Sequence, residues 1–266
     1  MNTPYIIPEE NRVRVIFDID SSDETILFTF AHCLLSPEFL LCGVSVSGNL
    51  TDKVADFAKS TEAKLKIENN LDFAVEEAMK DDNRLLYLVC LGSLKNVSEL
   101  LNRNPQIMDK IKVLWTGGGA SSEGVIEPNY AASPSAAEEL MESGTEMYVI
   151  PMKTYQKVRV TLSQLQLRLG NCGKIGKYLF DMLCHINEND KEGRFQGEAW
   201  ILPGEAAVSV LLCPEQRTWT LQTPMYGSRT GRPIRVYDNI DNRMVLEDMF
   251  AKLRLNFDIR GEQYDT

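Results

Sequence analysis

Apolar runs and helical stripes alternate along most of the chain. Val13-Arg-Val-Ile-Phe17 ends in Asp18-Ile-Asp20 and reads as a strand, followed by a tight loop with Ser21, Ser22, Asp23 and Glu24. Ile26, Leu27, Phe30, Ala31, Leu34 and Leu35 then recur at i, i+1, i+4, i+5. That spacing predicts a helix over 23–35 with a wide buried face. Leu40–Val46 is a second strand, delivering Ser47-Gly48-Asn49, and a helix over 53–61 buries Val54, Ala55, Phe57 and Ala58. A short strand near Lys64–Ile67 and a helix over 71–80 follow.

Three further apolar runs, Leu85–Leu91, Lys110–Trp115 and Glu146–Pro151, read as strands. Helices are expected between them, from near Val97 and over Pro134–Ser143. Residues 160–190 read as helices with a polar tail over 187–193, and Ala206–Leu212 as another helix. Thr218–Asp238 has the alternation of late strands, and Asn242–Leu253 closes the chain as an amphipathic helix. Strand–helix alternation of this kind predicts one α/β domain over 1–266: an open, mainly parallel, doubly wound, Rossmann-like sheet with helices on both faces.

In such sheets ligands bind beyond the carboxyl ends of the strands. Four acids, Asp18, Asp20, Asp23 and Glu24, crowd the first of those ends. Ser21 and Glu24 fit a capping box, and Asp23 suits the positive end of a helix dipole. Neither accounts for Asp18 and Asp20, and a cation or bound hydroxyls would offset the repulsion among so many carboxylates. His32 falls among buried helix positions and is expected to be a packed histidine. Gly117-Gly118-Gly119 follows a strand and could cradle an anion, but the Gly-x-Gly-x-x-Gly spacing of a dinucleotide site is absent.

Composition narrows the partners. The 266 residues are 44% hydrophobic and 25% charged, with a formal charge of −10. That balance argues against a nucleic-acid partner. No run approaches the ~20 apolar residues of a membrane span, and the first eleven residues lack a signal-peptide pattern. The six cysteines include no Cys-x-x-Cys pair. A cytoplasmic protein with buried thiols is expected, Cys172 in its Gly-Asn-Cys-Gly turn being the exposed one.

Taken together, the strand ends resemble the inosine–uridine nucleoside N-ribohydrolase family. Asp18-Ile-Asp20-Ser-Ser-Asp23-Glu24 is similar to its Asp-x-Asp-Pro-Gly-x-Asp-Asp opening, one residue shorter. Gly48-Asn49, Leu91-Gly-Ser-Leu-Lys-Asn-Val97, Trp115-Thr-Gly-Gly-Gly119, Glu127-Pro-Asn129 with Ser133-Pro-Ser-Ala-Ala137, and Thr230-Gly-Arg-Pro-Ile-Arg-Val236 match further family segments in order. The resemblance implies an N-ribosyl hydrolase in which calcium activates a water. Asp20, Glu24 and the Lys95 carbonyl would be ligands, and Asp20 also the general base. Asp23, Asn49 and Asn129 would bind ribose hydroxyls, with Glu127 at the 5′-hydroxyl. It further implies a nucleoside or related riboside as substrate and a homodimer or homotetramer.

The departures are specific. The first loop lacks Pro-Gly, and Glu24 replaces an aspartate. The family's His-Asp pair, which opens a late helix, corresponds to Leu202-Pro-Gly-Glu205-Ala206, where Glu205 could substitute as a ligand but no histidine stands. The usual proton donor to the leaving base is therefore missing; Trp200 and Tyr226 could stack on a base or belong to the core. The stretch between Ile67 and Leu85 is also shorter than in the family, leaving a more open site. An alternative expectation is a catalytically impaired relative that binds ribose or a metabolite, or serves as a structural protein. A third reading takes Asp18-Ile-Asp20 alone as a haloacid-dehalogenase-type pair, Asp18 nucleophile and Asp20 acid.

Overall fold

A computed structural model describes residues 5–61, 63–120, 124–190, 197–213, 218–227 and 231–257. From the N-terminus, β1 (Val13–Ile19), α1 (Ile26–Leu34), β2 (Phe39–Val46), α2 (Thr51–Ser60), β3 (Ile67–Glu68) and α3 (Phe73–Ala78) form the first half-sheet and its helices. Then come β4 (Leu86–Cys90), α4 (Lys95–Arg103), β5 (Ile111–Thr116), α5 (Pro128–Ala132), α6 (Pro134–Glu142) and β6 (Met147–Ile150). The last third holds α7 (Met152–Tyr155), β7 (Arg159–Thr161), α8 (Leu162–Leu169), α9 (Gly173–Glu188), β8 (Ala199–Ile201), α10 (Pro203–Leu212), β9 (Trp219–Gln222), β10 (Ile234–Tyr237) and α11 (Asn242–Phe257).

Among the described residues the main sheet has the order β3-β2-β1-β4-β5-β6-β10-β9. All its pairings are parallel except β10 with the edge strand β9, and β7 pairs with β8 in a separate antiparallel ribbon. The order reverses between β1 and β4. That is the topological switch point, where the connections leave in opposite directions and open a crevice. It sets the end of β1, with Asp18 and Asp20, beside the loop that follows β4: the Leu91 amide donates to the Asp18 carbonyl at 3.0 Å.

Side chains alternate across the sheet because the strand period is two. Val15, Phe17 and Ile19 of β1 join a core under α1, α2 and α8–α11, whereas Ile16 joins the opposite core with α3, α4 and α6. Helix α1 is buried at all nine positions, held between the sheet and other helices. Such a helix must be apolar nearly all round, so its polar residues, Thr29 and His32, need partners from the helices that cover it.

The first helix begins at Ile26, not at residue 23, and the capping box does not form. Ser21 Oγ instead accepts from the Asp23 amide at 3.1 Å, and Asp23 Oδ1 accepts from the Thr25 amide at 2.9 Å. Two consecutive side-chain-capped turns thus use up the residues that sequence spacing assigned to a helix end. Helix α10 starts earlier than expected, with Pro203 at its first position, where the missing N–H is no loss. Cys172 is fully buried, not exposed: it sits between α8 and α9, its Sγ donating to the Arg168 carbonyl at 3.2 Å. The expected polar tail over 187–193 is helical to Glu188, and 191–193 lie outside the described residues.

At the switch point the chain has no room to spare. A Cβ on Gly92 would stand 2.0 Å from the Asp20 carbonyl oxygen, and Trp115 Nε1 donates to the Gly92 carbonyl at 3.0 Å. Gly92→Ala should therefore lower unfolding free energy by about 1–3 kcal/mol, the range for overpacked sites. Denaturant unfolding would check it, and an unchanged midpoint would contradict this packing.

Candidate functional site

Two adjoining clefts lie along the carboxyl edge of the sheet and share Ser21, Ser22, Pro128 and Asn129 as a common wall. The larger, about 590 Å³, has Asp23, Glu24, Glu127 and Thr116 among its polar lining and Leu91, Met152, Ile186 and Trp200 among its apolar lining. The second, about 530 Å³, is more polar and is lined by Asp20, Ser47, Asn49, Ser93 and Lys95. Asp20 and Glu24, the two carboxylates expected on one ion, therefore line different clefts. The Ser21-Ser22 turn, shortened and without Pro-Gly, separates them.

Each acid has its own protein partner. Asp18 is buried, with Oδ1 accepting from Asn96 Nδ2 at 3.0 Å. Burial raises its pKa to about 7, against the lowering effect of Asn96. A carboxyl enclosed in this way cannot serve as a nucleophile, so the structure removes the haloacid-dehalogenase reading. Asp20 accepts hydrogen bonds from Ser93 Oγ and, at 3.3 Å, from Ser47 Oγ. Asp23 keeps contact with solvent through the cleft, yet protein surrounds it, and that desolvation raises its pKa despite the Thr25 hydrogen bonds. Glu24 pairs with Lys53 Nζ of α2 at 2.7 Å.

Glu127 caps α5. Its Oε2 accepts from the amides of Gly118 and Tyr130, both at 2.8 Å, and its Oε1 from the Tyr155 hydroxyl at 2.9 Å. Glu127, buried but on the cleft wall, draws the glycine turn, α5 and α7 together. The three glycine amides are all taken by the protein: Gly117 donates to the Ile150 carbonyl, Gly118 to Glu127 and Gly119 to the Tyr226 hydroxyl. The turn is therefore not an anion cradle. Asn129 donates to the Thr116 carbonyl at 2.8 Å, which fixes its amide at the common wall of the clefts. Asn49 is exposed in a 3-10 turn on the polar cleft. Tyr226 stacks on Tyr130, ring centroids 3.7 Å apart, so that face of its ring is occupied. Trp200 is buried in β8 and contributes to the cleft wall.

Glu205 is fully buried at the start of α10. Its Oε2 lies 2.8 Å from His32 Nδ1, and His32 Nε2 lies 3.0 Å from Asp248 Oδ2 on α11. A histidine with a carboxylate at each nitrogen donates from both and carries charge. Burial opposes that charge, but Glu205 and Asp248 outweigh it and raise the histidine's pKa. Lys252, also buried, closes the chain by binding Asp248, Glu38 and the Ser36 hydroxyl. Sequence reasoning placed His32 among packed residues but missed this pairing across 173 positions. The polar residue on an otherwise apolar helix was its only signal.

These residues do not form a calcium cage. Calcium takes six to eight oxygens, several of them from carboxylates. Here Asp20, Glu24 and Glu205 occupy three separate places, and Lys95 opens α4 on the polar cleft. Only the Glu205 Oε1 is a buried carboxylate oxygen of this set without a hydrogen-bond partner. Among the described residues no group of three or more His, Cys, Asp or Glu side chains is placed to hold a metal ion. None of the described helices is long and apolar enough to cross a membrane.

His32→Leu should lower unfolding free energy by about 3–5 kcal/mol, because it strands the buried Glu205, whereas Asp248 keeps Lys252. The double change His32→Leu with Glu205→Leu should restore a large part of that loss. Equal losses in the two variants, read by denaturant unfolding, would contradict the buried pair.

Residues 43–247 match the family model described as inosine-uridine preferring nucleoside hydrolase. The chain is 24% identical over 187 residues to the non-specific ribonucleoside hydrolase RihC of Klebsiella pneumoniae, a match covering 63% of this chain and 60% of the relative. A second relative, uridine nucleosidase 1 of Arabidopsis thaliana, is 25% identical over 135 residues, covering 48% of this chain and 40% of its own length. The chain thus spans under two thirds of these curated relatives. The fold superposes on a purine-preferring ribonucleoside hydrolase from Gardnerella vaginalis with a TM-score of 0.74, at 20% identity over 92% of this chain and 99% of that one. An inosine-guanosine nucleoside hydrolase gives 0.75, at 15% identity over 91% and 99%.

Proposed function

The chain belongs to the inosine-uridine preferring nucleoside hydrolase family, and from that premise we propose that it binds a ribonucleoside in the paired clefts and hydrolyses its N-glycosidic bond. One observation carries the reading. Asp23, Glu127 and Asn129 converge on the wall of a single cleft at the carboxyl edge of the sheet, beside an apolar pocket of Leu91, Met152, Ile186 and Trp200. Sugar hydroxyls both donate and accept, so carboxylates and an amide suit them. A flat, weakly polar base suits the apolar part.

In this reading Asp23 and Asn129 hold ribose hydroxyls, with Asn49 reaching from the polar cleft. Glu127 orients the wall at the 5′ end. Cleavage passes through an oxocarbenium-like state, which nearby carboxylates stabilise. Asp20, oriented by Ser47 and Ser93, is the base that takes a proton from the attacking water. No histidine lies on the cleft among the described residues, so departure of the base receives no help from one. That feature, together with the capture of Glu24 and Glu205 by Lys53 and His32, favours a second reading: a relative that binds ribonucleosides without turning them over.

Calorimetric titration with uridine and inosine, paired with an assay for released ribose, tests both. The proposal expects binding, ribose release, and at least about tenfold weaker binding in Asn129→Ala, the size of one or two lost hydrogen bonds to a polar ligand. Binding without ribose release would establish the second reading. Absence of binding to either nucleoside would overturn both.

A further inference from the structure

We infer that Lys53, not a calcium ion, is the cation of this site, and that the cleft takes its ribonucleoside independently of calcium. The inference rests on the nucleoside reading above for its ligand, but its evidence is the separate fate of three acids. In the family resemblance Asp20, Glu24 and Glu205 would gather on one ion. Here Glu24 lies 2.7 Å from Lys53 Nζ, Glu205 lies 2.8 Å from His32, and Asp20 accepts from two serine hydroxyls. Two of the three acids thus have a side-chain cation each, and the third has two neutral donors. A shared divalent ion would have to draw Asp20, still charged behind its two hydroxyl donors, toward two acids that are each held elsewhere by a side-chain cation.

The backbone holds this division in place. Strand β2 ends at Val46, a 3-10 turn over Gly48–Leu50 reverses the chain, and α2 opens at Thr51. Lys53 in the first turn of α2 is thereby set against the residues that lead into α1. The pair is only partly open to solvent, with Lys53 32% and Glu24 25% exposed, so water screens it less than a free surface pair. On the other side, Gly92 packs so closely on the Asp20 backbone that a Cβ there would stand 2.0 Å from the Asp20 carbonyl oxygen. Lys53 acts as a positioning residue: by neutralising Glu24 it lets Asp23, the next residue, remain available to a sugar hydroxyl in a loop otherwise crowded with negative charge.

The test is calorimetry on the metal-stripped full chain. Calcium chloride should give no saturable heat up to about 1 mM, the weak end of calcium modules. Uridine or inosine should then bind with the same affinity in EDTA and in calcium. Lys53→Met should weaken that binding about threefold, the size of a partly exposed ion pair, and Lys53→Arg should retain it. Saturable calcium binding, or nucleoside affinity that calcium strengthens, would overturn the inference, as would a Lys53→Met variant that binds nucleoside like the parent. If neither nucleoside binds under any condition, the proposed function fails, and the calcium titration alone still decides whether the site holds that ion.

Discussion

Six carboxylates, Asp18, Asp20, Asp23, Glu24, Glu127 and Glu205, stand at or just behind the carboxyl edge of one sheet, and repulsion and desolvation forbid leaving them there alone. A buried carboxylate without a partner costs several kcal/mol. The structure answers each separately: an amide side chain for Asp18, serine hydroxyls for Asp20, a backbone amide for Asp23, an ammonium for Glu24, two amides and a phenol for Glu127, an imidazolium for Glu205. Those partners come from β2, α1, α2, α4, α5 and α7 and from the turns beside them. Satisfying the acids and assembling the edge are therefore one process.

The same requirement links the cleft to the far side of the helical layer. Helix α1 is buried throughout, yet His32 carries charge between α10 and α11, and Lys252 extends the network to Glu38. Since Pro203 and Gly204 of α10 line the cleft while Glu205, the next residue, is held from beneath, the cleft floor is fixed by a buried ionic network as well as by apolar packing. A close contact supports it: a Cβ on Gly204 would meet Thr29 Oγ1 at 2.5 Å, so the two helices approach closely only because that position is glycine.

Much of this was legible in the sequence. The strands β1, β2, β4, β5 and β6 are apolar runs with turn residues at their ends, and their order along the chain implies the parallel sheet. Asp23 stood out in the acidic loop after the first strand, whereas Glu127 and Asn129 were singled out by the family resemblance; all three line one cleft. Helices α5 and α7 and strands β7 and β8 were missed because three to five residues cannot express a period. Lys53 reads as an ordinary exposed helix residue until β2 and α1 are folded beside it. Cys172 sits in a glycine-flanked turn that looks exposed, and only the packing of α8 on α9 buries it. Whether Asp20 and Glu24 share a ligand depends on two turns of backbone, which composition cannot reveal.

The central claim is that a ribonucleoside occupies the paired clefts at the switch point. Hydrogen–deuterium exchange with and without a saturating ribonucleoside tests it most directly, because amides across the whole chain are followed at once. The account predicts slowed exchange in 20–25 and in 116–119 with 127–130, and little change at the β9 edge. Unchanged exchange at the clefts, or protection confined to another surface, would contradict it.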